Sequence, residues 1–94
     1  MTKIKIKGIN KTHKIFLYTL STCGWCNKTK NFLKDVTVEY EYLDVDTANS
    51  EERSEAYRTM KKIGLSPTFP AIIVNDKKFI NGYKPDLIKE ALGL

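Results

Sequence analysis

The chain contains only two cysteines, and both lie in Ser21-Thr22-Cys23-Gly24-Trp25-Cys26, where an apolar run gives way to a helical pattern. Ahead of the motif, Ile15-Phe16-Leu17-Tyr18 is rich in β-branched and aromatic residues and reads as a buried strand. Behind it, Cys26, Thr29, Leu33 and Val36 recur at intervals of three and four, the spacing of one helix face. The CxxC therefore falls where a strand ends and a helix begins. Free N–H groups and the dipole at a helix N-terminus favour an anion there. The thiolate is the reactive form of cysteine, so this is a position for thiol chemistry.

Other uses of two cysteines fit less well. A structural disulfide framework needs distant pairs, and small secreted domains carry several. A closed zinc site takes four ligands, whereas the sequence offers Cys23, Cys26 and a single histidine, His13, so no metal is expected. A dithiol redox centre is the reading the spacing supports.

A length of 94 residues allows one domain with a modest core and no need of staples. No segment approaches the roughly 18 apolar residues of a membrane-spanning helix. Met1-Thr2-Lys3-Ile4-Lys5-Ile6-Lys7 alternates too strictly for the apolar core of a signal peptide, and a cytoplasmic location is the expectation. The formal net charge of +5 suits acidic protein partners or negatively charged thiols. The lysines are spread among acidic residues and no base-reading motif occurs, so nucleic acid is not an expected partner.

Taken in order, residues 2–7 place Ile4 and Ile6 on one face and lysines on the other, as an edge strand or a flexible arm. Residues 1–11 are read as this N-terminal extension and 12–94 as the domain proper. Gly8-Ile9-Asn10-Lys11 turns into a central strand over about 14–19. A helix is expected over roughly 24–35, with Ser21 or Thr22 available to cap it. Residues 38–44 form a second strand, parallel to the first through a right-handed crossover. Asn49 and Glu52 match a capping box for a second helix, whose buried face is Ala56, Tyr57, Met60 and Ile63 and whose end is Gly64. Ala71-Ile72-Ile73-Val74 and Lys77-Lys78-Phe79-Ile80 flank a turn at Asn75-Asp76, a β-hairpin. A last helix opens at Pro85, buries Leu87, Ile88, Ala91 and Leu92, and stops at Gly93. The result is an α/β fold, a four-stranded mixed sheet flanked by three helices with an extra strand in front.

Three runs carry a family resemblance: Tyr18-Thr19-Leu20-Ser21-Thr22-Cys23-Gly24-Trp25-Cys26, Thr68-Phe69-Pro70, and Asn81-Gly82-Tyr83-Lys84-Pro85-Asp86. With them the chain from about Lys14 to Leu94 resembles the glutaredoxin family of the thioredoxin fold. The resemblance implies a thiol-disulfide oxidoreductase of the cytoplasm, a monomer serving electron transport and redox homeostasis. It implies that Pro70 is cis beside the cysteines and that Phe69 offers its backbone to an extended substrate. Cys23 is then the nucleophile and Cys26 the resolving thiol. Trp25, Thr68, Phe69, Pro70, Gly82 and Tyr83 would line the substrate site, with Trp25 exposed at the helix start.

Departures from the family pattern bear on the electron source. Glutaredoxins carry a basic residue three positions before the first cysteine, where this chain has Leu20. Their Gly-Gly-x-Asp element is replaced by Asn81-Gly82-Tyr83-Lys84. Both changes remove glutathione contacts. The Gly82-Tyr83-Lys84-Pro85-Asp86 run is similar to that of NrdH-type redoxins, which take electrons from thioredoxin reductase and pass them to ribonucleotide reductase. Cys-Gly-Trp-Cys lacks the central proline of most glutaredoxins and thioredoxins, a pattern shared by glutaredoxin-like proteins of methanogenic archaea. The resemblance thus implies disulfide-containing protein partners, ribonucleotide reductase among them. It implies no bound cofactor, and an external reductant, either thioredoxin reductase or a low-molecular-weight thiol. The alternative is an iron–sulfur glutaredoxin, in which Cys23 of two protomers and two glutathiones would hold a [2Fe–2S] cluster; anaerobic protein would then be brown.

Overall fold

The computed structural model describes residues 3–94. Met1 and Thr2, which the expected first strand and the 1–11 extension include, lie outside the described residues. The elements run β1 (Ile4–Ile6), β2 (Ile15–Thr19), α1 (Gly24–Asp35), β3 (Tyr40–Asp44), α2 (Ser50–Ile63), β4 (Ala71–Val74), β5 (Lys78–Asn81) and α3 (Pro85–Leu92). They form a five-stranded sheet in the order β1-β3-β2-β4-β5. β2 and β3 are parallel, joined through α1, and the other neighbours are antiparallel. This is the mixed sheet of a thioredoxin-like fold with the anticipated extra strand at its edge.

Strand alternation sorts the core into two layers. Ile15, Leu17, Ile72 and Val74 meet Leu33 of α1 and Ile88 and Leu92 of α3 on one face. Tyr18, Ala71 and Ile73 meet Ala56 and Met60 of α2 on the other. β2 and β4 are therefore covered on both sides, which is why they read as continuous apolar runs rather than alternating ones. Burying a side chain such as Leu17 or Leu33 contributes about 1.5–3 kcal/mol each, and both are fully enclosed.

β1 joins the sheet through β3, with Ile4 opposite Tyr42 and Ile6 opposite Tyr40. The approach just after it is close. A Cβ on Gly8 would stand 2.6 Å from the Thr37 carbonyl oxygen and 2.7 Å from the Glu39 nitrogen. Asn10 then forms a parallel bridge to Val38, so the second expected strand is regular only from Tyr40. Asn75 and Asp76 both adopt positive φ, 55° and 56°, which makes the β4–β5 link a tight hairpin turn.

Two expected core residues face outward. Tyr57 on α2 is 40% exposed and Leu87 on α3 is 46% exposed. The cause is helix phase. Ala56 and Met60 already point at the sheet, and Tyr57 is about 100° away from Ala56. Ile88 and Leu92 do the same in α3, displacing Leu87 to the rim. No helix among the described residues is long and apolar enough to cross a membrane.

Candidate active site

The start of α1 departs from the expected cap. Neither Ser21 nor Thr22 caps the helix; Cys23 does, with its own side chain. The Cys23 Sγ accepts a hydrogen bond from the Cys26 backbone N–H at 3.1 Å. A thiol at this position takes the place usually held by a serine or aspartate oxygen and sits against the free N–H groups of the first turn. Ser21 is used otherwise. Its backbone N–H and hydroxyl both donate to the Asp46 carboxylate, which holds that carboxyl below the usual carboxylate range. Asp46 lies in the loop after β3, whose backbone is held by Arg53 from α2, donating to the Val45 and Ala48 carbonyls at 3.2 and 2.9 Å. The loop in front of the cysteines is thereby tied to the opposite layer of the fold.

The two cysteines differ as their positions on the helix dictate. Cys23 is partly exposed, whereas Cys26 is fully buried. Burial first, and then the hydrogen bond with Cys23, push the Cys26 thiol up to about 12. A buried thiol is held protonated because its anion is deprived of solvent.

Across from Cys23 lies the loop between α2 and β4. The Phe69–Pro70 peptide is cis, and the Phe69 carbonyl oxygen stands 4.0 Å from the Cys23 Sγ. The cis Phe69–Pro70 peptide, expected from the resemblance, thus lies beside Cys23. Their loop is supported by the start of the third family run. Asn81, the last residue of β5, accepts from the Ser66 N–H at 3.1 Å, and its amide donates to the Ser66 carbonyl at 3.0 Å and the Thr68 carbonyl at 3.4 Å. The Gly82 N–H donates to the Pro70 carbonyl at 2.7 Å, with Gly82 at φ 90°, a conformation that favours glycine. Gly82 therefore belongs to the support of the proline loop.

Aromatic rings flank the cysteines on two sides. Trp25 is 57% exposed, as expected, and stacks on Tyr83 with ring centroids 5.9 Å apart. Tyr83 also meets Phe32 edge-on at 6.4 Å. Lys28 lies over the Trp25 ring at 4.7 Å. On the other side the exposed ring of Tyr57 meets Phe69 edge-on at 6.4 Å. Tyr57, expected in the core, instead turns its ring to Phe69 on the loop facing Cys23. Among the described residues no group of three or more His, Cys, Asp or Glu side chains could hold a metal ion.

Comparison with known proteins agrees with this arrangement. The profile of the glutaredoxin family matches residues 15–80. Glutaredoxin 1 of Rickettsia felis is 34% identical over 64 residues, 68% of this chain and 60% of the Rickettsia protein. The match thus spans less than two thirds of that relative's length. Among solved structures, the glutaredoxin of Methanosarcina mazei superposes with a TM-score of 0.84 at 36% identity, covering 100% of this chain and 90% of the other. Methanosarcina acetivorans methanoredoxin does so with a TM-score of 0.80 at 45% identity, covering 93% and 90%. The chain belongs to the glutaredoxin family.

Proposed function

We propose that this glutaredoxin is a dithiol electron carrier that reduces disulfides through Cys23 and Cys26. The observation that carries the reading is the asymmetry of the pair. Cys23 caps α1 with its sulfur partly open to solvent, and Cys26 is enclosed one helical turn behind it. The Cys23 thiolate attacks one sulfur of a substrate disulfide, forming a mixed disulfide and releasing the other sulfur as a thiolate, which takes up a proton from solvent. Cys26 then loses its proton and attacks the Cys23 sulfur. That closes the Cys23–Cys26 disulfide and expels the second substrate thiolate, which takes up a proton. Two electrons pass from the dithiol to the substrate.

Binding follows from the surroundings. Phe69 and Thr68 offer backbone groups to an extended segment, with Gly82 bonded to the Pro70 carbonyl beside them, while Trp25 and Tyr83 form the opposite wall. An external reductant, a flavoprotein reductase of the thioredoxin reductase kind or a small thiol, would reset the pair. The carrier would work as a monomer in a reducing compartment such as the cytoplasm, on disulfide-containing proteins.

The test is trapping. Cys26→Ser should accumulate a mixed disulfide with a disulfide-bonded target, visible by mass under non-reducing conditions, and Cys23→Ser should form none. Trapping through Cys26 in the Cys23→Ser protein would overturn the assignment.

A further inference from the structure

The resolving thiol is buried, and the exchange requires it to become an anion. The charges near it are therefore of interest. Lys30 follows Cys26 by four residues on α1, so the two share a helix face. Its ammonium is held in a half-enclosed position, 3.3 Å from Asp44 Oδ1, with the two side chains only 16% and 18% exposed. The same ammonium lies 3.8 Å from the centre of the Tyr42 ring. Asp44 is fixed in turn by the fully buried Thr19 hydroxyl, which donates to Oδ1 at 2.6 Å. Lysine is rarely drawn this far in unless its charge has a partner. Two other ion pairs of the chain, Lys5–Glu39 and Lys14–Asp76, each have a mostly exposed lysine.

We infer that Lys30, held by Asp44 and Tyr42, is the positioning residue of the resolving step, supplying the positive charge against which the Cys26 thiolate forms. This inference rests on the proposed dithiol mechanism. In that step Cys26 gives up a proton and its sulfur attacks Cys23. The Cys23–substrate bond breaks, and the departing thiolate recovers one proton, so no outside reductant is needed. A fixed cation nearby lowers the cost of a buried anion, and at low dielectric it does so more strongly than a solvated lysine would. Burial is the largest influence on the Cys26 thiol and raises it; the Lys30 charge is the smallest and acts in the opposite direction. Asp44 weakens that field by neutralising part of it. The other groups facing Cys26 are Cys23 across the first turn of α1 and the Leu20 backbone N–H after β2, whose hydrogen bond to the sulfur also favours the thiolate. The ring of Tyr42 and the hydroxyl of Thr19 complete the surroundings of the ion pair on β3 and β2.

The two partners make opposite predictions, which separates an electrostatic role from a structural one. In a Cys23→Ser background Cys26 is the lone thiol, and its alkylation rate below its pKa follows its thiolate fraction. Lys30→Met should slow alkylation by about twofold to threefold, the effect of a fraction of one pKa unit, and move the pH profile upward. Lys30→Arg should restore the rate. Asp44→Asn, which keeps an acceptor for Thr19, should raise the rate. In the protein with both cysteines, Lys30→Met should accumulate mixed disulfide during turnover without slowing its formation. Unchanged Cys26 alkylation in Lys30→Met, or slowing in both Lys30→Met and Asp44→Asn, would overturn the inference. Failure of Cys26→Ser to trap a substrate would instead overturn the dithiol mechanism, whatever the lysine variants show.

Discussion

The sulfur of Cys23 accepts the backbone N–H of Cys26, so the hydrogen bond that caps α1 is also the link between the two cysteines.

The first prediction concerns alkaline stability of the reduced protein. An unfolded cysteine titrates near 8.5, whereas burial pushes Cys26 up to about 12. Between those values the folded protein keeps a proton that the unfolded chain releases. Stability is therefore full below about pH 8.5 and declines as pH rises toward 12. Burial also raises Tyr18 and Tyr40, which steepens the decline above about pH 10. Urea midpoints under reducing conditions should fall from about pH 8.5 upward, and Cys26→Ala should flatten the part of the slope that precedes tyrosine ionisation. An equal slope in the variant would show that Cys26 is not the group responsible.

Asn81 carries the second prediction. Its side chain makes three hydrogen bonds to the loop that presents Phe69 to Cys23. At about 0.5–1.5 kcal/mol for a typical bond, and less where water competes, Asn81→Ala should cost roughly 1–2 kcal/mol. The same variant should slow reduction of protein disulfides, and the amide of Ser66 should exchange faster with solvent. Normal exchange at Ser66 would mean that the loop is held by its other bonds, such as Gly82 N–H to the Pro70 carbonyl.

The third prediction is that glutathione is a poor electron donor. Leu20 is partly buried against the α2 layer and presents no charge for a glutathione carboxylate. Well-formed hydrogen bonds to charged groups contribute about 1.5–3 kcal/mol each, so the absence of two corresponds to about a hundredfold or more in affinity. Turnover with glutathione and its reductase should fall far below turnover with thioredoxin reductase or with a small sulfonated thiol. Leu20→Lys should raise the glutathione rate; no gain would show that this contact is not limiting. Efficient use of glutathione by the unaltered protein would contradict the prediction.

Much of the architecture follows from local pattern. The change from an apolar run to three-and-four spacing at Cys23, the capping pair Asn49 and Glu52, and the turn residues Asn75 and Asp76 each act over a few residues. Helix and hairpin boundaries therefore follow from them, and Asn49 does accept from the Glu52 N–H at 2.8 Å. The family motifs likewise place Cys23, Cys26 and Pro70 without any knowledge of contacts, because their spacing is the signal.

What the tertiary structure decided is everything that depends on two distant segments meeting. Tyr57 looks like a core residue along α2, and only the loop bearing Phe69 gives its exposed ring a partner. Asn81 opens a family run on the sequence, but its partner Ser66, fifteen positions away, is brought beside it only by the fold. Lys30 is one of many lysines on the sequence, distinguished only by Asp44, which the parallel pairing of β2 with β3 sets behind the first helix. Even the cap of α1 was chosen this way. Ser21 and Thr22 have hydroxyls suited to capping, but Asp46 takes Ser21 from across the fold, and the cap is a cysteine. Periodicity encodes which face of an element is apolar; it carries no record of which polar group lies opposite, and at this site those polar groups set the chemistry.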